Sequence, residues 1–472
     1  MLKRLTFLLI IVTHISCFDS SEYVAVKKVA PGDDAVQSSN DFVSESENEP
    51  SMTEGEIEQK DPQNTEQDTP QGLPGSMSES NDPPDGGDGD GLSGDEQEKE
   101  QDEEQDPVPP ELISTYFMYV AANDRVYHYE LAHETGTVSQ KSVFMLNNNA
   151  NPDSNFNLQL AVAKEKQYLY VGTAGTNIIQ TLAINQDDGS LSLVGTLDLP
   201  FRPVYLHVDD SGSFLIVSSY ANNKVEVLPI ADDGQPTLDT QNNRELSTGN
   251  RAHSVITSPN NDYIIFPNTG GQGDGDSKLQ GADFDPITGM ITGLKDLTTS
   301  NGDGPRHIRF HPTLSVFYAV NEYADSVSWY SWDATGHNLI EGGSRLTLPA
   351  SSQDNTCADI HLTSDGRFLY ASNRDIRNRG NHSIAMFAVD PQNGSLTPIE
   401  GERVASVGKP REFAIDPLDK YLFVLGRDQP YRIQSFSINQ GNGQLDLIQA
   451  YDLEASPTWV EFVELVKEVP KI

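Results

Sequence analysis

The sequence predicts an all-β fold: a seven-bladed β-propeller with four-stranded blades, closed by its C-terminal strand and preceded by a disordered stalk. Three observations predict it. One strand-forming segment recurs seven times, a Gly-containing turn recurs at a fixed phase behind it, and the first copy lacks a strand that reappears at the far end of the chain.

The recurring segments are Tyr116–Val120, Tyr168–Val171, Phe214–Val217, Tyr263–Phe266, Val316–Val320, Phe368–Ala371 and Tyr421–Val424. Their starts are 46 to 53 residues apart, the period of a four-stranded propeller blade. Each reads as the second strand of a blade. The turns Thr135-Gly136, Asp188-Gly189, Thr288-Gly289, Asn393-Gly394 and Asn442-Gly443 carry glycine where a hairpin needs positive φ, and so join third strand to fourth. Six second strands follow a first strand of their own. Tyr116 does not, and its partner is predicted in the run Pro457–Val463. A ring closed in this way leaves only short, protected edges, and a monomer is expected.

Ahead of the ring, residues 1–17 read as an export signal. Lys3 and Arg4 precede the apolar run Leu5–Val12, and Ser16 stands before Cys17. The run is too short to span a bilayer. The ending His14-Ile15-Ser16-Cys17 resembles a bacterial lipobox, with His14 where an apolar residue is usual, so Cys17 is expected to be lipidated and the chain held at the cell envelope; cleavage to a soluble secreted protein is the alternative. Residues 18–111 form an acidic linker, 112–466 the propeller and 467–472 a tail.

The formal net charge is −40. Residues 19–110 carry 27 acidic and 4 basic side chains with few apolar groups to bury, which predicts a disordered, self-repelling spacer. An acidic chain without a basic stripe makes nucleic acid an unsuitable partner. The Asp-Gly run at 82–91 lacks the Glu that closes a calcium-binding loop. With Cys17 lipidated, Cys357 has no disulfide partner, and stability must come from the core.

Comparing blades separates scaffold from site. At the end of the second strand, blades two to seven hold Thr173, Ser219, Asn268, Glu322, Arg374 and Arg427. At the start of the inner strand they hold Leu158, Val204, His253, His307, Asp359 and Glu412, with Arg306 and Arg411 alongside. Ionisable residues replace neutral ones in the later blades. Antiparallel pairing puts both positions at one end of the blade, so these groups are expected to ring one mouth of the central channel and to bind an anionic or carbonyl-bearing small molecule. Structural alternatives are ion pairs of Arg374 and Arg411 with Asp359 or Glu412, and a hydrogen-bonded core role for His253. Glu322 occupies a position that neutral residues fill elsewhere, so Glu322→Gln is expected to cost no more than about 0.5 kcal/mol of stability.

Other chemistry is absent. The chain contains no Gly-x-Ser-x-Gly, His-Glu-x-x-His or Cys-x-x-Cys pattern. Asp359 and His361 face one side of a strand, but no third ligand completes a zinc site. No metal or cofactor is expected. The loop at 269–278 borders the same mouth, as a substrate loop or a solvent loop.

Roughly residues 114–465 resemble the seven-bladed β-propeller lactonase family, which includes bacterial propeller-type 6-phosphogluconolactonase and fungal carboxymuconate-lactonizing enzymes. The matching segments are Ala252-His253-Ser254-Val255, the run Gly304-Pro305-Arg306-His307 through Pro312, Val320-Asn321-Glu322, the stretch from Ala358 to Arg374, and Lys409-Pro410-Arg411. The resemblance implies a lactone hydrolase with His253, Arg306, Glu322 and Arg374 as the catalytic set; His307, Asp359, Arg411 and Arg427 are expected to bind substrate. Either His253 or Glu322 suits the base, and the arginines suit a carboxylate, a phosphate or an oxyanion. The stalk and anchor depart from a cytoplasmic sugar-phosphate enzyme. They leave the substrate open and make a non-catalytic envelope propeller the competing reading.

Overall fold

A computed structural model describes residues 111–146, 157–239, 243–271, 276–298, 302–349, 355–377 and 380–469. The leader, Cys17, the linker and the centre of the 269–278 loop lie outside them. Among the described residues there is no helix, and 28 strands form seven sheets of four.

The inner strands of blades two to seven are Leu158–Val162, Tyr205–Val208, Ile256–Thr257, Pro305–Phe310, Asn355–Leu362 and Pro410–Ile415. Each pairs antiparallel with the second strand that follows it. Blade one takes its inner strand from the C-terminus, as expected. Pro457–Val469 pairs antiparallel along Glu111–Ala122, with Val460 opposite Val120 and Val469 opposite Glu111. The closing strand thus runs three residues past position 466.

Burial explains the composition of each strand. Second strands lie between neighbouring blades and are apolar on both faces; every residue of Tyr263–Asn268 and Val316–Asn321 is buried. Outer strands such as Leu191–Asp198 alternate toward solvent. The core is a set of interblade layers, for example Tyr116, Met118 and Val120 of blade one against Tyr421, Phe423 and Leu425 of blade seven. Each such side chain contributes about 1.5–3 kcal/mol.

The recurrent turn glycine has a second purpose besides its φ of 69 to 74°. It packs against the second strand of an adjoining blade: a Cβ on Gly443 would sit 2.4 Å from the Phe368 ring, and one on Gly189 2.8 Å from Phe117. The tyrosine two or three residues into that strand then donates to the glycine carbonyl. Tyr119 reaches Gly189 O at 2.6 Å, Tyr318 reaches Gly394 O at 2.8 Å and Tyr370 reaches Gly443 O at 2.8 Å. The repeat glycine and the repeat tyrosine form one latch between blades.

Candidate active site

The inner strands of blades five, six and seven all break register at their starts. Between Pro305 and Ile308, between Cys357 and Ile360, and between Pro410 and Glu412 an extra residue is inserted. A bulge turns side chains away from the regular alternation. Here it delivers Arg306, His307, Asp359 and Arg411 into the channel mouth, all of them buried.

Arg306 is the centre of the arrangement and is fully buried. Its Nη1 donates to Ala358 O at 2.5 Å and lies 3.2 Å from His307 Nε2. Nε and Nη2 have no hydrogen-bond acceptor, although Glu322 Oε2 is 3.7 Å from Nε and Glu412 Oε1 is 3.8 Å from Nη2. Burial, then the nearby Arg411 and Arg374, lower its pKa to about 10, so it stays charged at neutral pH.

Glu322 follows the second strand of blade five and joins two arginines. Oε1 accepts from Arg374 Nη2 at 2.8 Å while Oε2 faces Arg306. Arg374 also donates to the carbonyls of Thr356 and Cys357. Gly304 fixes this geometry: its φ is +72°, a Cβ there would meet the Tyr323 ring at 2.4 Å, and its carbonyl accepts from Glu322 N at 2.6 Å. Glu322 is 2 % exposed and bridges two arginines, so a cost of only about 0.5 kcal/mol for Glu322→Gln is too small for this setting. Arg374 pairs with Glu322 and not with Asp359 or Glu412.

His307 and Asp359 form a second layer. His307 Nε2 receives Arg306, so Nδ1 carries the proton and donates to Asp359 Oδ1 at 2.8 Å. Asp359 Oδ2 accepts from Phe413 N at 3.2 Å and lies 3.1 Å from His361 Nε2. Burial opposes its ionisation, but His361 and His307 hold it well below the usual carboxylate range. Glu412 goes the other way: burial and the Asp359 charge push it well above its ordinary value, against the pull of Arg306 and Arg411.

His253 is buried in the same mouth with its ring edge-on to His307 at 5.2 Å and to Tyr220 at 5.7 Å. Its Nδ1 has no partner, unlike a satisfied core histidine. Burial, then Arg306, His307, Arg411 and Arg374, press its pKa well below the ordinary value. Arg411 Nε lies 3.9 Å from Glu412 Oε1. Arg427 is half-buried, and its described contacts lead to Ser456 and Gly408 and not to this cluster. The ends of the 269–278 loop are pinned beside the mouth, where Gly304 N donates to Ser277 Oγ at 2.6 Å and Tyr323 OH to Gly270 O at 3.1 Å.

Among the described residues, His307, Asp359 and Glu412 are the one His/Cys/Asp/Glu group with ligand atoms within 4.8 Å of one another. Three guanidinium groups stand around them and His307 Nδ1 is already committed to Asp359, so the arrangement favours a bound anion over a cation. Sequence reasoning singled out the quartet but gave no direction for any titration; the raised pKa of Glu412 follows only from its burial beside Asp359.

Known proteins resemble this chain over most of the propeller. The 6-phosphogluconolactonase of Pectobacterium carotovorum is 30% identical over 309 residues, 65% of this chain and 88% of that protein. That of Yersinia pestis is 30% identical over 304 residues, 64% of this chain and 86% of the relative. The structure of the Pseudomonas aeruginosa periplasmic gluconolactonase shares the fold with a TM-score of 0.61 at 23% identity, covering 74% of this chain and 99% of its own. The family model described as lactonase, 7-bladed beta-propeller matches residues 112–462, and the chain therefore belongs to the seven-bladed β-propeller lactonase family.

Proposed function

We propose that this chain hydrolyses an anionic lactone at the mouth formed by blades four to seven, with a phosphorylated sugar lactone as the first candidate. The observation that carries the reading is the Arg306 guanidinium, fully buried with Nε and Nη2 lacking acceptors, beside a histidine whose Nδ1 is likewise unmatched. Buried donors without acceptors are costly, and an oxyanion supplies what Arg306 lacks, while an unprotonated His253 Nδ1 is open to a proton.

Water attacks the lactone carbonyl while His253 Nδ1 takes its proton. The carbonyl oxygen gains negative charge against Arg306 Nε and Nη2. The ring C–O bond then breaks, Glu412 gives its proton to the departing alkoxide, and a hydroxy acid is left. Arg374 and Arg411 hold the substrate's own charge, and Glu322 aligns Arg306 with Arg374. An anionic substrate also tunes the base, because it offsets the guanidinium charges that depress His253. The relatives' names, 6-phosphogluconolactonase in two cases, support a phosphorylated substrate.

The test is hydrolysis by the purified chain over a panel of phosphorylated and plain sugar lactones. Phosphorylated lactones should react with higher kcat/KM. Tight binding of lactone without turnover would replace this reading with that of a ligand-binding envelope propeller.

A further inference from the structure

The channel holds a second polar chamber below the His307–Asp359 layer, and sequence reasoning passed it over. It is a cavity of about 430 Å³ walled by inner strands of blades one, two, three, five, six and seven. That volume is in the range of small-molecule pockets. Tyr205, His207, Arg309, His361, Trp459 and Glu461 line it, and Glu412 stands on the boundary it shares with the upper site.

The chamber presents several unspent hydrogen-bonding atoms. Arg309 commits Nη1 to Tyr205 OH at 3.1 Å and to Ile308 O at 2.9 Å, and its Nη2 lies 3.4 Å from His361 Nε2, while Nε has no acceptor. His207 Nε2 accepts from Thr257 N at 3.1 Å, which leaves the proton on Nδ1 without a partner. Trp459 Nε1 donates to Glu461 Oε1 at 2.9 Å and leaves Oε2 open. His361 Nε2 lies 3.1 Å from Asp359 Oδ2 and 3.4 Å from Arg309 Nη2, and its Nδ1 has no hydrogen bond. Trp459 and Tyr205, edge to face at 5.2 Å, supply an apolar wall.

A fixed cation, one imidazole donor, two acceptors and an aromatic wall match a small molecule with one carboxylate and several hydroxyls. We infer that this chamber is a second binding site, for a small polyhydroxy carboxylate, with Arg309 holding the carboxylate and Glu461, His207 and His361 the hydroxyls. Such an acid belongs to the class that lactone opening releases. The inference itself rests on the chamber alone, and its test uses binding and not turnover, so it stands or falls apart from the hydrolysis reading.

Gluconate is the probe, titrated into the full chain at pH 8 by calorimetry, with the emission of Trp459 reporting location. Saturable binding at millimolar gluconate should change the emission, and Trp459→Phe should abolish that change, since Trp329 and Trp332 lie on the third strand of blade five. Arg309→Gln should weaken binding about tenfold or more through loss of a charge-assisted contact. Should that variant not fold, Glu461→Gln decides. The groups facing Glu461 are Arg309, Asp359 and Trp459, and removing its charge should tighten the acid severalfold. Absence of saturable binding, an emission change that survives Trp459→Phe, or affinity indifferent to the charge variants would each overturn the second site.

Discussion

At the scale of single residues, the decisive feature is a carboxylate placed among guanidiniums. Glu322 balances Arg306 and Arg374 in a buried setting, and burial with the Asp359 charge raises the pKa of Glu412 beside them. Glu322→Gln should therefore cost about 3 kcal/mol of stability or more, as expected for a buried pair that loses one partner, and should lower turnover as well. Urea unfolding and hydrolysis rates on one preparation check both. Protonation states give a second prediction. His253 is pressed well below 6.5 and Glu412 well above 4.5. Protonation disables the base only under acid conditions, and deprotonation disables the acid only as pH rises. The kcat/KM profile should be bell-shaped with its acid limb below pH 6.5, and His253→Asn should abolish that limb. Glu461 yields a third. Burial above all, with Asp359 adding and Trp459 and Arg309 opposing, pushes it from 4.5 up to about 7. The folded chain binds this proton more tightly than the unfolded chain, so its contribution to stability is present below pH 4.5 and is lost as pH rises through about 7. Glu461→Gln should match the parent's melting temperature at pH 4 and exceed it at pH 8.

At the scale of elements, the strand pattern was legible and the bulges were not. The second strands and the turn glycines repeat residue types with a visible period, because interblade burial asks for Tyr, Leu and Val and the hairpin asks for positive φ. A bulge is one inserted residue with no residue type of its own, so the runs Pro305-Arg306-His307 and Lys409-Pro410-Arg411 read as ordinary strand starts. The blade comparison still drew attention to His253, Arg306, Glu322 and Arg374 within a larger charged set, because charge in a position otherwise neutral stands out; the resemblance narrowed that set to the four. It missed the lower chamber, since Arg309 and His361 follow the normal strand alternation and look like routine polar faces. Interblade latches give an element-scale prediction. Tyr370→Phe deletes the bond to Gly443 O and should lower stability by about 1 kcal/mol while hydrolysis per folded molecule persists, as thermal melts and initial rates would show.

At the scale of the whole molecule, the ring closes through a strand that begins at Pro457, well beyond the last complete second strand, which ends at Gly426, so both chain ends of the domain meet in blade one. Ending the chain before Pro457 exposes two sheet edges and should prevent folding, whereas beginning it at Glu111 removes none of the described contacts and should leave the melting transition in place. We propose that the stalk is a spacer and that Cys17 carries a lipid; Cys17→Ser should then move the protein from the membrane fraction to the soluble one. Across the ring, one face gathers Arg306, Arg374 and Arg411 around His253, and the account stands on that convergence. Its most direct test is the steady-state hydrolysis of 6-phosphogluconolactone by the full chain and by His253→Asn, with both shown to be folded by their melting transitions. The account predicts turnover by the parent and a loss of about a hundredfold or more in the variant; equal rates in the two would contradict it.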